Sequence, residues 1–521
     1  MFLRTEYLWV MFVRVVVGLG VVLWGCRRVE APDWAEGSGY PDSVAAILVR
    51  RCAGCHGAGG ALGGSDHGHG NDSPLPAPLT GTKINLTQWD SLFYGYRGEV
   101  PMVVPGFPEW SHLLWQVNRF PEIAPTAEPI MPPPHPDSSN LLTREEVLRL
   151  KAWIAAGAPN KEGRRPYAEM TSTPHRKVFV CNSGSDLIAV FDADTYRLIA
   201  YIPVGVAPGI IESPHYVQIS PDQRYLYVTL IAGSAVEKYR TDTYEKVGRV
   251  EVGPEPAHIE FSPDGRHAVI THFTDLAPVK LTLIDAEAMV VLDELRDASG
   301  LIIARPHGLW ITPDFRYAYV TANSGNYLTK VEISPDRRRF VNFTQIPLAP
   351  GLTPQITNRW GPYQLLAPAE SPYYFVSCDA SHEVRVFSKN ADTLVGVLPV
   401  ASAPKLMAYE GGLLYVACLK ADAPALQGDK RGAIAVIDAQ QLRMLTHLYN
   451  TGHLPRGIGV DPIKRKLWLS FENTAGADPP HHYVGGLAGA PAKAYILSIP
   501  TLQTEAIREV ALVGYGLVIS P

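Results

Sequence analysis

Three stretches of this chain read Ile219-Ser220-Pro221-Asp222, Phe261-Ser262-Pro263-Asp264-Gly265 and Ile311-Thr312-Pro313-Asp314. An aromatic or β-branched run follows each of them, for example Tyr225-Leu226-Tyr227-Val228-Thr229 after the first. Each unit is typical of the end of one strand, a tight turn and the next strand. Repeats of about 40–50 residues with four strands each predict the blades of a β-propeller.

The number of blades follows from the residues that we expect to open the innermost strands. These are His215, His258, His307, Tyr363, Lys405, Arg456 and Tyr515. The first blade begins at Lys177 without an inner strand, and the C-terminal run 515–521 can supply one. The pattern therefore predicts an all-β, seven-bladed propeller over residues 176–521. Its C-terminal strand would close the ring beside residues 177–203, which removes exposed sheet edges. These repeats resemble the YVTN family of periplasmic propellers, named for its strand motif.

Composition excludes several classes of protein. Apolar residues make up 46% of the chain, enough for a large core, so global disorder is excluded. The net charge of −5 shows no basic excess, which argues against a nucleic-acid partner. Only the N-terminal region has a stretch apolar enough to approach a membrane span, so a polytopic membrane protein is excluded.

The N-terminus has the pattern of an export signal. Arg14 precedes an apolar run that starts at Val15 and ends at Gly25-Cys26. Leu23-Trp24-Gly25-Cys26 resembles the lipobox of bacterial lipoproteins, which implies that Cys26 is lipidated and anchors the chain to a membrane. We expect residues 1–25 to be a lipoprotein-type signal peptide and residues 26–40 a linker, in a periplasmic or membrane-anchored protein. The alternative is an uncleaved anchor with an incidental cysteine.

A haem-attachment motif carries the clearest chemistry. Cys52-Ala53-Gly54-Cys55-His56 is C-x-x-C-H, in which two thiols add to the haem vinyl groups and the histidine is the proximal iron ligand. A redox C-x-x-C or half of a zinc site would need surrounding motifs that the sequence does not show. The motif predicts one covalent haem c, held by Cys52, Cys55 and His56.

Two predicted helices flank the motif. Residues 42–51 run into it, and Thr143-Arg144-Glu145-Glu146 is a capping box that opens a second helix, which ends at Gly157-Ala158-Pro159. Two helices around irregular chain suit a small all-α, class I-like c-type cytochrome over residues 41–160. A polar linker, 161–175, would join it to the propeller.

Residues 51–160 resemble the cytochrome domains common in planctomycetes and related bacteria. The shared pattern is C-x-G-C-H, a segment like 104–114, Met-Pro-Pro at Met131, and a helix ending Ala-Gly-Ala-Pro. The resemblance implies that Met131 is the distal haem ligand, and Met/His ligation raises the haem potential. His135, His112 and Met102 are the alternatives. An insertion at 57–78, with His67 and His69, departs from the family pattern and is interpreted as a loop.

One face of the propeller is the candidate binding face. The longest predicted loops, 419–431, 473–491 and 272–278, all return to the face where the innermost strands start, and insertions gathered on one face mark a binding face. His215, His258 and His307 come from consecutive blades there and could hold a second metal or haem. The alternative is that they line the channel structurally. Lys405 and Arg456 suit a small anionic ligand.

These features together predict an exported monohaem c-type cytochrome that transfers electrons with a redox partner protein, and whose propeller docks a partner or ligand. An oxidoreductase with a second cofactor at the channel mouth and a redox-sensing scaffold are the alternatives. Such fusions also resemble nitrite reductases that pair a c-haem domain with a d-type haem in a propeller, although those have eight blades. Cys181, Cys378 and Cys418 are interpreted as small buried residues.

Overall fold

The computed structural model describes residues 37–52, 86, 89–93, 101–127, 130–132, 134, 140–166, 176–208, 210–420, 431–472, 493–510 and 514–520. The predicted signal peptide with Cys26 lies outside these residues, as do Cys55 and His56 of the haem motif. So do His67, His69, His135 and the greater part of the two longest loops. None of the described helices is long and apolar enough to cross a membrane.

Seven four-stranded antiparallel sheets form the propeller. Blades 1 to 3 contain β1 (Lys177–Asn182), β2 (Leu187–Asp192), β3 (Leu198–Pro203), β4 (Pro214–Ile219), β5 (Tyr225–Leu230), β6 (Ala235–Arg240), β7 (Lys246–Glu251), β8 (Pro256–Phe261), β9 (His267–His272), β10 (Val279–Asp285) and β11 (Val290–Arg296). Blades 4 and 5 contain β12 (Pro306–Ile311), β13 (Tyr317–Ala322), β14 (Tyr327–Ile333), β15 (Phe340–Pro347), β16 (Pro362–Leu366), β17 (Tyr373–Cys378), β18 (Glu383–Ser388) and β19 (Leu394–Pro399). Blades 6 and 7 contain β20 (Pro404–Glu410), β21 (Leu413–Cys418), β22 (Arg431–Asp438), β23 (Arg443–His453), β24 (Pro455–Asp461), β25 (Lys466–Phe471), β26 (Lys493–Ser498) and β27 (Thr504–Glu509).

The last strand, β28 (Gly514–Ile519), closes the ring. It pairs with β1 in the register Val178↔Ile519, Phe179↔Val518 and Val180↔Leu517, and becomes the innermost strand of blade 1. The predicted seven blades and their closure by the C-terminal strand are therefore confirmed. Cys181, Cys378 and Cys418 are buried in blade cores, as expected.

The repeated turn has a local physical cause. In blade 2 the Ser220 hydroxyl donates to Asp222 at 2.6 Å and accepts from the Tyr225 N–H at 3.0 Å. Gln223 completes the turn in the left-handed region at φ 62°. The copies at Ser262 and Thr312 make the same bonds. A hydroxyl, an aspartate and a left-handed residue at fixed spacing therefore specify the turn in blades 2, 3 and 4.

A second set of hydroxyls ties neighbouring blades together near the channel. Each sits at the fifth position of the second strand of its blade: Thr229, Thr271, Thr321, Ser377 and Ser470. Each accepts from an inner-strand N–H of its own blade and donates to an inner-strand carbonyl of the next blade, as when Thr271 donates to His307 at 2.7 Å. Cys181 and Ala417 occupy this position in the other two blades.

These bonds correct one predicted position. The carbonyl that accepts from Thr229 belongs to Ala257, so Ala257 and not His258 is the counterpart of His307 in blade 3. His258 lies one residue further along β8, and its N–H is bonded to Thr271. Sequence spacing aligned the histidines of blades 3 and 4 with each other. The true counterpart in blade 3 is an alanine, which the residue pattern does not distinguish.

The residues before the propeller form what we call the helical unit, residues 37–166. It contains α1 (Asp42–Arg51), α2 (His112–Val117) and α3 (Arg144–Ala155), together with 3₁₀ turns at Trp89–Leu92 and Pro108–Trp110. The two predicted helices are present, and the capping box at Thr143 and Glu146 is complete. Arg51 bonds Glu146 at 3.2 Å, which joins α1 to α3. The other described residues of the unit are largely irregular chain.

Candidate functional site

The first half of the haem motif lies at the end of α1. The N–H of Cys52 donates to Leu48 at 2.9 Å, and the residue is 7% exposed within the apolar core of the helical unit. Leu113 and Trp153 belong to the same core. A cysteine at a helix end in apolar surroundings fits the first thioether of a covalent haem. Cys55 and His56 follow it outside the described residues.

The candidate distal ligands lie in different surroundings. Met131 is partly exposed, and its N–H donates to Gln116 at 2.6 Å. Met102 lies in the buried core that contains Cys52. His112 stacks on Trp115 with ring centroids 4.8 Å apart, and burial lowers the pKa of His112 to about 4. Of these three candidates, Met102 shares a core with Cys52.

Four aromatic side chains meet at the channel mouth of the propeller, and we call them the mouth cluster: His215, His307, Tyr363 and Tyr515. Nε2 of His215 lies 3.4 Å from Nε2 of His307, and the hydroxyls of Tyr363 and Tyr515 are 2.5 Å apart. Ring contacts join the two pairs, with centroids 3.7 Å apart for His307–Tyr363 and 4.0 Å apart for His215–Tyr515. All four are buried, so they pack across the mouth rather than line an open channel.

Hydrogen bonding assigns the tautomers of the two histidines. Nδ1 of His307 lies 3.1 Å from the Tyr363 carbonyl, which can only accept, so this nitrogen carries the proton. Nε2 of His307 is then the acceptor, and Nε2 of His215 must donate to it. Burial lowers the pKa of both histidines well below the ordinary value. The pair is therefore neutral.

His258 lies beside this cluster, between Tyr216 of blade 2 and His307 of blade 4. Its ring stacks on Tyr216 with centroids 4.1 Å apart and meets His307 edge-on at 4.7 Å. Nε2 of His258 is buried and has no partner among the described residues. Burial lowers the pKa of His258 to about 3.

These positions bear on the predicted second metal or haem at His215, His258 and His307. The three rings do come together. Within the described residues, however, no group of three or more His, Cys, Asp or Glu side chains has an arrangement able to hold a metal ion. His215 and His307 bond each other, whereas His258, one position further along β8, stacks on Tyr216. The second metal or haem at these residues stays a prediction.

Both predicted anion-binding cations are already paired. Nζ of Lys405 lies 2.5 Å from Asp379 and 3.9 Å from the centre of the Tyr363 ring. Nε of Arg456 lies 2.6 Å from Glu472, and the guanidinium carbon 5.3 Å from the Tyr515 ring. A small anion at the mouth would have to compete with two carboxylates for these cations.

Sequence reasoning missed four contributors to the mouth. Asp379 and Glu472 follow the second strands of their blades as ordinary loop residues, and nothing in the local pattern links them to Lys405 or Arg456. Phe273 packs edge-on against His307 at 4.6 Å, with Arg305 stacked over it at 4.1 Å. Only the positions of the neighbouring blades reveal these contacts.

Comparison with known proteins identifies the fold. No protein-family model matches the sequence, and no curated protein is significantly similar to it. Among solved structures, a functionally unknown protein from Desulfotomaculum acetoxidans DSM 771 is similar, with 12% identity and a TM-score of 0.50 over 66% of this chain and 99% of that chain. Dihydro-heme d1 dehydrogenase NirN in complex with DHE is 13% identical, with a TM-score of 0.45 over 91% and 98%. Kuenenia stuttgartiensis hydrazine synthase is 15% identical, with a TM-score of 0.44 over 58% and 88%. At such identities the likeness concerns the propeller fold alone.

Proposed function

We propose that this chain is an exported, lipid-anchored monohaem c-type cytochrome that transfers electrons with a redox partner protein. The observation that carries the proposal is Cys52-Ala53-Gly54-Cys55-His56 at the end of α1, with Cys52 set in an apolar core. Cys52 and Cys55 would hold one haem c by thioether bonds, with His56 as proximal and Met131 as distal ligand. A haem bound there supplies a reversible one-electron Fe(II)/Fe(III) couple.

The proposal assigns roles to the rest of the chain. Residues 41–160 are the cytochrome domain and 161–175 its linker, after a signal peptide at 1–25 and an anchoring lipid on Cys26. The apolar core around Cys52 would keep water from the haem, which favours the reduced state. The YVTN-type propeller would dock the partner through its mouth face.

Covalent haem attachment is the first expected result. The chain produced with a c-haem maturation system should carry one haem that remains bound after denaturation, because thioether bonds survive unfolding. A Cys52→Ala/Cys55→Ala double variant should carry none, and denaturing gel electrophoresis with a haem stain reads the difference. Cys418→Ala, which removes a buried thiol of blade 6, should keep the haem in full. Wild-type chain without covalent haem would refute the proposal.

The distal ligand gives a separate expected result. A Met131→Ala variant should keep its covalent haem but lose the iron–sulfur charge-transfer band of the oxidised protein, and its reduction potential should fall. Met102→Ala is the matched control, since it removes the other candidate thioether. Loss of the band in the Met102 variant, with the Met131 variant unaffected, would transfer the distal role to Met102.

A further inference from the structure

One segment of the helical unit reaches into the propeller. Met102 and Val103 belong to the core of the helical unit, the core that contains Cys52. The next residue, Val104, belongs to the core shared by blades 7 and 1, and Trp110 packs against that core. Val103 is 0% and Val104 1% exposed. Two adjacent valines are thus fully buried in two different cores.

Hydrogen bonds hold this segment, residues 101–111, in one shape. Gly106 adopts φ 86°, which favours glycine, and its N–H donates to Ile154 of α3 at 2.9 Å. The Ser111 hydroxyl accepts from the Val104 N–H and donates to the Phe107 carbonyl, both at 2.9 Å. Because the loop is hydrogen-bonded to α3, the position of Val104 relative to the helical unit is fixed.

The receiving core is the place where the propeller ring closes. It contains Val178 and Phe191 of blade 1, Trp468 of blade 7 and Leu517 of the closing strand β28. Pairing of β28 with β1 joins the two ends of the propeller sequence at this point. We call this core the closing seam.

We propose that residues 101–111 are a docking loop that fixes the helical unit against the closing seam, so that the helical unit and the propeller move as one body. Units joined only by a linker move relative to each other unless an apolar interface holds them. Val104 and Trp110 provide such an interface, because they add apolar contacts to the closing seam. The proposal does not depend on haem binding.

The proposal has a consequence for the proposed electron transfer. A haem held at Cys52 would be attached to the core that contains Met102 and Val103. The residue after Val103, Val104, lies in the closing seam. Its position relative to blades 7 and 1 would be constant. A redox partner that binds the propeller would therefore meet the haem in one orientation, without a search by a tethered domain.

The adjacent valines provide a matched test in the full chain. Hydrogen exchange followed by mass spectrometry should show that Val104→Ala speeds amide exchange in β1 and β28 by about tenfold, because the lost methyl groups leave a cavity in the closing seam. Val103→Ala should speed exchange in α3 and leave β1 and β28 unchanged. Trp110→Ala, at a partly exposed site, should act like Val104→Ala and covers the case in which the Val104 variant does not fold.

Two outcomes would overturn the docking loop. One is unchanged exchange in β1 and β28 for both the Val104 and the Trp110 variants. The other is the same exchange pattern for the Val103 and Val104 variants, which would mean that a general loss of stability is being measured. The haem stain reports on the proposed function independently, so failure of one proposal does not imply failure of the other.

Discussion

Replacing Trp468 by alanine is expected to lower the free energy of unfolding by about 3–5 kcal/mol, the usual cost of deleting a buried indole. The side chain is fully buried in the closing seam. It contacts Phe191 and Tyr196 of blade 1, with ring centroids 5.7 and 5.8 Å apart. Loss of the indole removes apolar contacts between the first and last blades at the place where the ring closes. Urea unfolding of the full chain measures the change.

Two controls separate the seam from the general effect of a substitution. Ile507→Ala removes an exposed side chain from β27 in the same blade and should change the free energy of unfolding by less than about 0.5 kcal/mol. Trp468→Phe keeps most of the aromatic contact and should cost less than Trp468→Ala. A loss below about 1 kcal/mol for Trp468→Ala would mean that the closing seam contributes little to stability.

The second large effect is expected on acidification. Burial lowers the pKa of His258 to about 3, whereas an unfolded histidine titrates near 6.5. Below pH 6.5 the unfolded chain therefore binds a proton that the folded chain refuses, and stability falls as the pH drops from about 6.5 towards 3. At pH 4.5 this single group should lower the free energy of unfolding by about 2–3 kcal/mol relative to pH 7.

Glu260, two residues along β8, acts with the opposite sign. Burial raises the pKa of Glu260 to about 8, so the folded chain holds a proton that the unfolded chain releases above about pH 4.5. The protonated Glu260 therefore adds to the free energy of unfolding at low pH, and this stabilisation is lost as the pH rises towards 8. Because its carboxyl is partly exposed, we expect an effect of only about 1–2 kcal/mol.

Two amide variants resolve these opposite contributions. His258→Gln should reduce the stability lost between pH 7 and 4.5 by about 2–3 kcal/mol, and Glu260→Gln should increase that loss. Urea unfolding at the two pH values is the measurement. Equal pH dependence in wild type and His258→Gln would mean that His258 is not held neutral by burial.

Local pattern accounts for much of the fold. The turns at Ser220, Ser262 and Thr312 are specified locally. In each, the hydroxyl donates to the aspartate two residues on, and the left-handed residue donates its N–H to the backbone carbonyl of the same Ser or Thr. The start of α3 is likewise predicted by its own capping box. Repetition of such local units, with an inner strand missing at the start and present at the end, is enough to predict seven blades and their closure. The haem motif is equally local, and its two thiols and histidine are recognised by spacing alone.

Tertiary structure decided how side chains of different blades meet. Tyr363 and Tyr515 are separated by 152 positions, yet their hydroxyls share a hydrogen bond. His215 and His307 meet although blade 3 lies between their blades, and His258 of that blade stacks on Tyr216 of blade 2. Val103 and Val104 are identical neighbours buried in different cores. Sequence spacing determines which face of a strand or loop a residue occupies, but the partner on that face comes from a distant part of the chain, and only packing selects it.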